Sequence, residues 1–147
     1  MPVPPRLKDD GMRFDTKIAV ALRADLPVWQ KLNITAFTVS GLAATDPATV
    51  GEPYEDASGR TYLPMFRQPV LVFAGEAVDL RRAYERATER GIRMAIFTED
   101  LFSTGHDEAN RAAVKAVASA ELNLVGLALR GDRKEVDKIL KGLSLHG

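Results

Sequence analysis

The sequence predicts an α/β fold, a three-layer sandwich in which helices cover both faces of a four-stranded sheet. Two observations carry that prediction. Four apolar runs of strand length, at residues 16–23, 69–74, 92–97 and 123–129, alternate with stretches of helical periodicity. The first run, Ile18-Ala-Val-Ala-Leu22, is apolar without alternation, the pattern of a strand covered on both faces.

The first strand turns sharply into a helix expected over residues 26–42. Asp25 is placed to cap it, and Pro27 falls in the first turn, where its missing N–H costs little. Trp29, Leu32, Ala36, Val39 and Ala43 recur at steps of three and four, so they are expected to share the inward face, with Trp29 as its core anchor; the less favoured reading of Trp29 is an aromatic lid over a ligand.

Residues 43–69 change in texture. The segment holds four prolines, and Tyr54 and Tyr62 flank a Ser58-Gly59 turn, which predicts a short β-hairpin insertion. A connection this long serves as a lid, a binding loop or a dimer contact, or is a decorated crossover. The second strand is followed by a charged helix at 76–90. Val78, Ala83 and Ala87 are expected inward there, with Leu80 and Tyr84 beside them, and Gly91 is its left-handed stop. A third strand, a helix at 107–117, a fourth strand and a helix at 132–141 complete the chain.

Composition narrows the function. At 147 residues the chain is the size of one domain, expected over 12–147 behind a poorly ordered tail of residues 1–11. Twenty basic residues balance twenty acidic ones, which argues against a general nucleic-acid binder. The absence of cysteine removes disulfides, thiolate nucleophiles and Cys-ligated metals, and two widely separated histidines give no basis for a metal site. No cofactor fingerprint occurs: Walker, dinucleotide, HExxH and EF-hand patterns are all missing, so no cofactor is expected. Neither a signal-peptide core nor an apolar run of about 18 residues is present, so a cytoplasmic protein without a membrane partner is expected.

Ligands gather where strand ends meet helix starts. Two such junctions carry chemistry: Arg23-Ala-Asp25-Leu26, and residues 98–107 with Thr98, Glu99, Asp100, Ser103, Thr104, His106 and Asp107. A Ser-His-Asp triad is not read from the second, because neighbours on one loop seldom converge and no GxSxG elbow is present. Thr104 and Asp107 instead fit a helix capping box. Glu99 and Asp100, adjacent on extended chain, would point to opposite sides, so only one would face a pocket.

These residues also carry a resemblance. Lys17, five residues, Arg23-Ala-Asp25-Leu26 and Lys31 resemble the opening of type II peptidyl-tRNA hydrolases. Asp100-Leu-Phe-Ser-Thr104, Leu124-Val-Gly-Leu-Ala-Leu129 and Glu135-Val-Asp-Lys138 resemble later parts of that family. The whole of residues 13–146, including VWQKLN, GEPYEDASG and TGHDEANR, more closely resembles an uncharacterised bacterial family sharing that fold. The resemblance implies a four-stranded, mostly parallel (mixed) sheet. The hydrolase Gly-Lys is Gln30-Lys31 here, and the Asp-Ala-Gly after the third strand is Asp100-Leu101-Phe102.

Three functions are consistent with these readings. In the first, a small anionic or polar ligand binds between a cationic wall of Lys17, Arg23 and Lys31, with Asp25 beside it, and the polar groups of Asp100, Thr104 and His106. In the second, implied by the hydrolase resemblance, Asp100 orients water, Lys17 stabilises an oxyanion, and the remaining cations hold a tRNA backbone. In the third, the chain is a homodimer module whose hairpin and charged helix make the contacts.

Overall fold

A computed structural model describes residues 14–147; the tail expected over residues 1–11 lies outside the described residues. The elements are β1 (Thr16–Arg23), α1 (Val28–Thr45), the hairpin β2 (Tyr54–Glu55) and β3 (Thr61–Tyr62), β4 (Val70–Gly75), α2 (Ala77–Glu89), β5 (Met94–Thr98), α3 (Asp107–Lys115), β6 (Leu124–Asp132), α4 (Arg133–Ile139) and β7 (Ser144–Leu145). Short 3₁₀ turns at Pro47–Thr49, Glu99–Ser103 and Ser119–Glu121 link them.

The main sheet has five strands in the order β5-β6-β1-β4-β7. Strands β1, β4 and β5 run the same way, yet only the β1–β4 pair is parallel; β1–β6, β5–β6 and β4–β7 are antiparallel. The sheet is mixed, as expected; it has five strands rather than four, and one of its four pairings rather than most is parallel. The connection from β5 through α3 starts and ends at the same edge of the sheet, so β6 returns antiparallel and slots between β5 and β1. The fifth strand, β7, is two residues long, too short for any alternation to announce it.

Both faces of the sheet are covered, as the unbroken apolar runs require. Ala19 and Ala21 of β1 pack with Ala83 and Ala87 of α2 and with Val136 and Ile139 of α4. These small residues let α2 lie close on the strand. On the other face Val20 and Leu22 pack with Ile34 of α1, Phe97, Val125 and Ala128.

Helix α1 faces the sheet through a different stripe from the one expected. Ile34 and Thr38 are its buried residues, with Val39 and Leu42 beside them. Trp29 is 60% exposed and Leu32 67%, and Ala36 is also exposed. The helix is apolar nearly all round, so its periodicity matched two faces, and the sheet took the one whose β-branched Ile34 and Thr38 lie flat on β6. In α2 the same correction applies to Val78, which points outward, whereas Leu80, Ala83 and Ala87 are buried. Gly91 is the left-handed stop expected, with φ of 69°, and Ile92 N–H donates to the Ala87 carbonyl across it.

The hairpin forms as expected, with Tyr54 opposite Tyr62 and Gly59 at φ 87° in the turn. It is an arm: residues 52–63 are all exposed. Asp56 holds the tip together by accepting from Ser58 N–H (2.9 Å), Arg60 N–H (3.0 Å) and the Tyr62 hydroxyl (2.8 Å).

Candidate functional site

The carboxyl ends of β1, β4 and β5 all open at one edge of the sheet. From there β1 leads to α1 on one face and β4 to α2 on the other. Adjacent parallel strands whose connections diverge to opposite faces leave a crevice between them. Here it measures about 390 Å³ and is lined by Arg23, Ala24, Asp25, Gly75, Glu76 and Ala77.

Charge in this crevice is already matched. Arg23 donates through Nε (3.0 Å) and Nη2 (3.2 Å) to the Asp25 carboxylate and stands 3.8 Å from Glu99. Donating to Asp25 raises the Arg23 guanidinium above its ordinary pKa, and the same bond holds the exposed Asp25 carboxyl below its own. The start of α2 is closed by its own acids: the Glu76 and Asp79 side chains form a capping box. Carboxylates thus occupy the helix terminus and the guanidinium that an anion would seek.

The other expected cations stand elsewhere or have partners. Lys31 donates to His146 Nε2 at 3.0 Å. Lys17 lies at the far end of β1, paired with Asp137 of α4 at 2.5 Å. Its register partner on β6 is Gly131, whereas Thr98, which precedes Asp100, pairs with Leu124. Seven residue steps along β6 separate those positions, about 23 Å along the sheet. Lys17 and Asp100 therefore do not converge, because β1 carries the lysine in at one edge and β5 delivers the aspartate at the other.

After β5 the chain turns into a 3₁₀ helix rather than staying extended, so Glu99 and Asp100 do not simply oppose each other. Glu99 accepts from Asn123 Nδ2 at 2.8 Å, and both acids are exposed. His106, not Thr104, is the N-cap of α3, its Nδ1 accepting from Ala109 N–H at 3.2 Å. The expected capping box is thereby corrected. Thr104 Oγ1 instead lies 3.0 Å from the Leu101 carbonyl and within hydrogen-bond reach of the Asn110 side-chain oxygen.

Thr104 and His106 do share a groove, of about 460 Å³, between the outer edge of α1 and the β5–α3 connection. Four rings wall it in series. Trp29 meets Phe102 edge-on at 5.7 Å, Phe102 meets Phe97 at 5.0 Å, and Phe97 meets Phe37 at 5.8 Å. Asn33, Thr104, His106 and Asn110 supply hydrogen-bonding groups around these rings. A larger cavity of about 510 Å³ lies by the last turns of α1 and Gly91–Ala95, but its charged floor is an internal ion pair, Arg130 with Asp46 at 2.9 Å. The aromatic groove is the one that the residues following β5 line.

Chemically the groove is suited to holding a molecule. The Thr104 hydroxyl faces a carbonyl and an amide oxygen, neither of which is a base strong enough to activate it, and the His106 Nδ1 is engaged in the helix cap. Among the described residues no group of three or more His, Asp or Glu gathers as a metal site. No described helix is long and apolar enough to cross a membrane. Asn33, Asn110 and the Phe97–Phe102 pair were not legible as site residues. Only the four-residue step from His106 to Asn110 hinted that the two share a helix face.

The fold and groove define a mixed α/β protein with an aromatic-walled cleft beside its third parallel-running strand. The chain belongs to the family described as protein of unknown function (DUF2000), whose model matches residues 16–147. A solved structure of a protein of unknown function from Agrobacterium tumefaciens is similar, with a TM-score of 0.89 and 49% identity over 92% of this chain and 100% of that one. No curated protein matches the chain.

Proposed function

We propose that the protein binds a small, largely apolar or aromatic molecule carrying one hydrogen-bonding group, in the groove between Trp29 and Thr104. The observation that carries this reading is the series of four rings around about 460 Å³, with Asn33, Thr104, His106, Asp107 and Asn110 as the polar lining. That balance of apolar wall and few polar groups is what small-molecule sites present. An uncharged ligand is preferred to an anionic one because Arg23, Lys17 and Lys31 all have internal partners. At the level of fold we propose kinship with type II peptidyl-tRNA hydrolases, supported by the Arg23-Ala-Asp25-Leu26 turn at the end of β1. The hydrolase activity is not part of the proposal, since its Lys17–Asp100 pairing would have to act across about 23 Å.

Trp29 is the only tryptophan in the chain and stands on the groove rim, so its emission reports on occupancy. Titration with indole, phenol and benzyl alcohol is expected to give a saturable shift for at least one compound at about 1 mM or below. Phe102→Ala and Asn110→Ala are expected to weaken that binding about tenfold while the far-UV spectrum is retained. No saturable change with any compound, or equal affinity in Phe102→Ala, rules the groove out.

A further inference from the structure

Two apolar surfaces of this chain lack a cover among the described residues. One is the outer stripe of α1, where Val28 (70% exposed), Trp29, Leu32 and Phe37 stand in solvent beside the small residues Ala36 and Ser40. The stripe carries no charge. The other is the hairpin arm, whose Tyr54, Tyr62 and Leu63, with Met65 at its base, are exposed, Leu63 to 83%. Internal bonds to Asp56 fix the arm's shape before any contact is made, which lowers the ordering cost of using it.

We infer that a second copy of this chain covers both surfaces, in a two-fold dimer built on antiparallel α1 helices with exchanged arms. The arm leaves the chain just beyond the C-terminal end of α1, while the exposed large side chains crowd toward its N-terminal half. Eighteen residues of helix span about 27 Å. Only an antiparallel pairing, with the axis near Ala36, sets each arm beside the other copy's Val28 and Trp29. Such a contact is isologous and closes on itself, as a stable dimer requires.

Area and charge favour the same occupant. Eight large side chains, each half exposed or more, contribute on the order of 100 Å² apiece, which reaches the roughly 800 Å² per partner of a standard interface. A formal net charge of zero puts no long-range repulsion between two copies. Ala36 and Ser40 let the two helix backbones approach closely at the crossing. In this arrangement Leu63 and Met65 of the second copy roof the rim of the aromatic groove at Trp29. The inference stands independently of the ligand proposal, since it needs the stripe covered and not the groove filled.

The chain has no cysteine, so a single introduced thiol reports on one position alone. Light scattering on a sizing column is expected to give twice the 16.1 kDa chain mass at micromolar concentration. Ala36→Cys is expected to form an intermolecular disulfide under mild oxidation, and Arg82→Cys, on the outer side of α2, is not. Leu32→Glu, at an exposed position, is expected to yield a folded monomer, and replacing residues 54–62 by a short Gly-Ser link is expected to raise the dimer dissociation constant at least tenfold. A mass of one chain at every concentration overturns the inference and leaves the stripe to a different partner. A dimer indifferent to Leu32→Glu, or one in which Ala36→Cys fails to cross-link, overturns it as well.

Discussion

Gly126 is the residue on which α1 rests. A Cβ built there would stand 2.4 Å from Ile34 Cγ2 and 3.3 Å from both the Ala21 carbonyl and Leu22 Cδ2. Ile34 is fully buried, and its Cγ2 sits on a branched carbon that cannot swing aside without moving the helix. Gly126→Ala is therefore expected to destabilise the fold by about 1–3 kcal/mol, the usual cost of overpacking, measured by urea denaturation. Ile34→Ala removes the clashing methyl, so the double variant should cost less than the two single changes added together. Simple additivity would mean that the helix does not bear on this glycine. A glycine inside an apolar strand run was visible in the sequence; that it marks a helix seat was not, because Ile34 lies 92 residues away in the chain.

Among the elements, the hairpin arm was the most legible, and the reason is local. Tyrosines flanking a Ser-Gly turn within nine residues specify a hairpin without help from the rest of the fold. Its stability should depend on pH through two groups. The Tyr62 hydroxyl, donating to Asp56, holds that carboxyl below its usual range, and the same bond raises the phenol. A lowered Asp56 contributes order that is present above about pH 3.9, the ordinary aspartate value, and is lost as pH falls through its folded value. A raised Tyr62 contributes order present below about pH 10 and lost as pH rises through its own folded value. The arm should thus be best ordered between those limits. The protection factors of the Ser58 and Arg60 amides, exchange corrected for its intrinsic pH dependence, are expected to fall as the pH is taken down below about 3.9, and Asp56→Ala should remove that protection at neutral pH and return the Tyr62 absorbance titration toward pH 10. An unchanged Tyr62 titration in that variant would remove the pairing. Helix α1 was the least legible element, since its residues are apolar on both candidate faces and periodicity alone could not choose between them.

For the whole molecule, the sheet is finished by its last residues. Ser144 and Leu145 pair with Ala74 and Phe73, and His146 N–H donates to the Val72 carbonyl at 2.9 Å. Removing residues 144–147 would bare the apolar edge of β4, a template for association between chains. The truncated protein is expected to scatter more light on heating and to melt at lower temperature than the full chain. Equal scattering and equal Tm would show that the edge needs no cover. The candidate site was legible in part at this scale too. Thr104 and His106 do lie at one groove, and Arg23 and Asp25 do meet at the end of β1. Lys17 does not join them, because its position depends on which end of β1 opens toward β5.

What the amino-acid order determined alone was the kind and succession of the main elements: strands from unbroken apolar runs, helices from their periodicity and the Gly91 stop, the arm from its turn. Those signals act between neighbours a few residues apart, so they can be read along the chain. The caps were not among them, since Pro27 rather than Asp25 stands at the start of α1, without a side-chain cap, and His106 rather than Thr104 at the start of α3. The tertiary structure alone decided that β6 enters between β5 and β1, that Ile34 rather than Trp29 faces the sheet, and that rings from α1 and the β5–α3 connection enclose one groove. These outcomes come from packing between residues far apart in sequence, where volume and the direction of a returning strand select among arrangements that local pattern leaves equal.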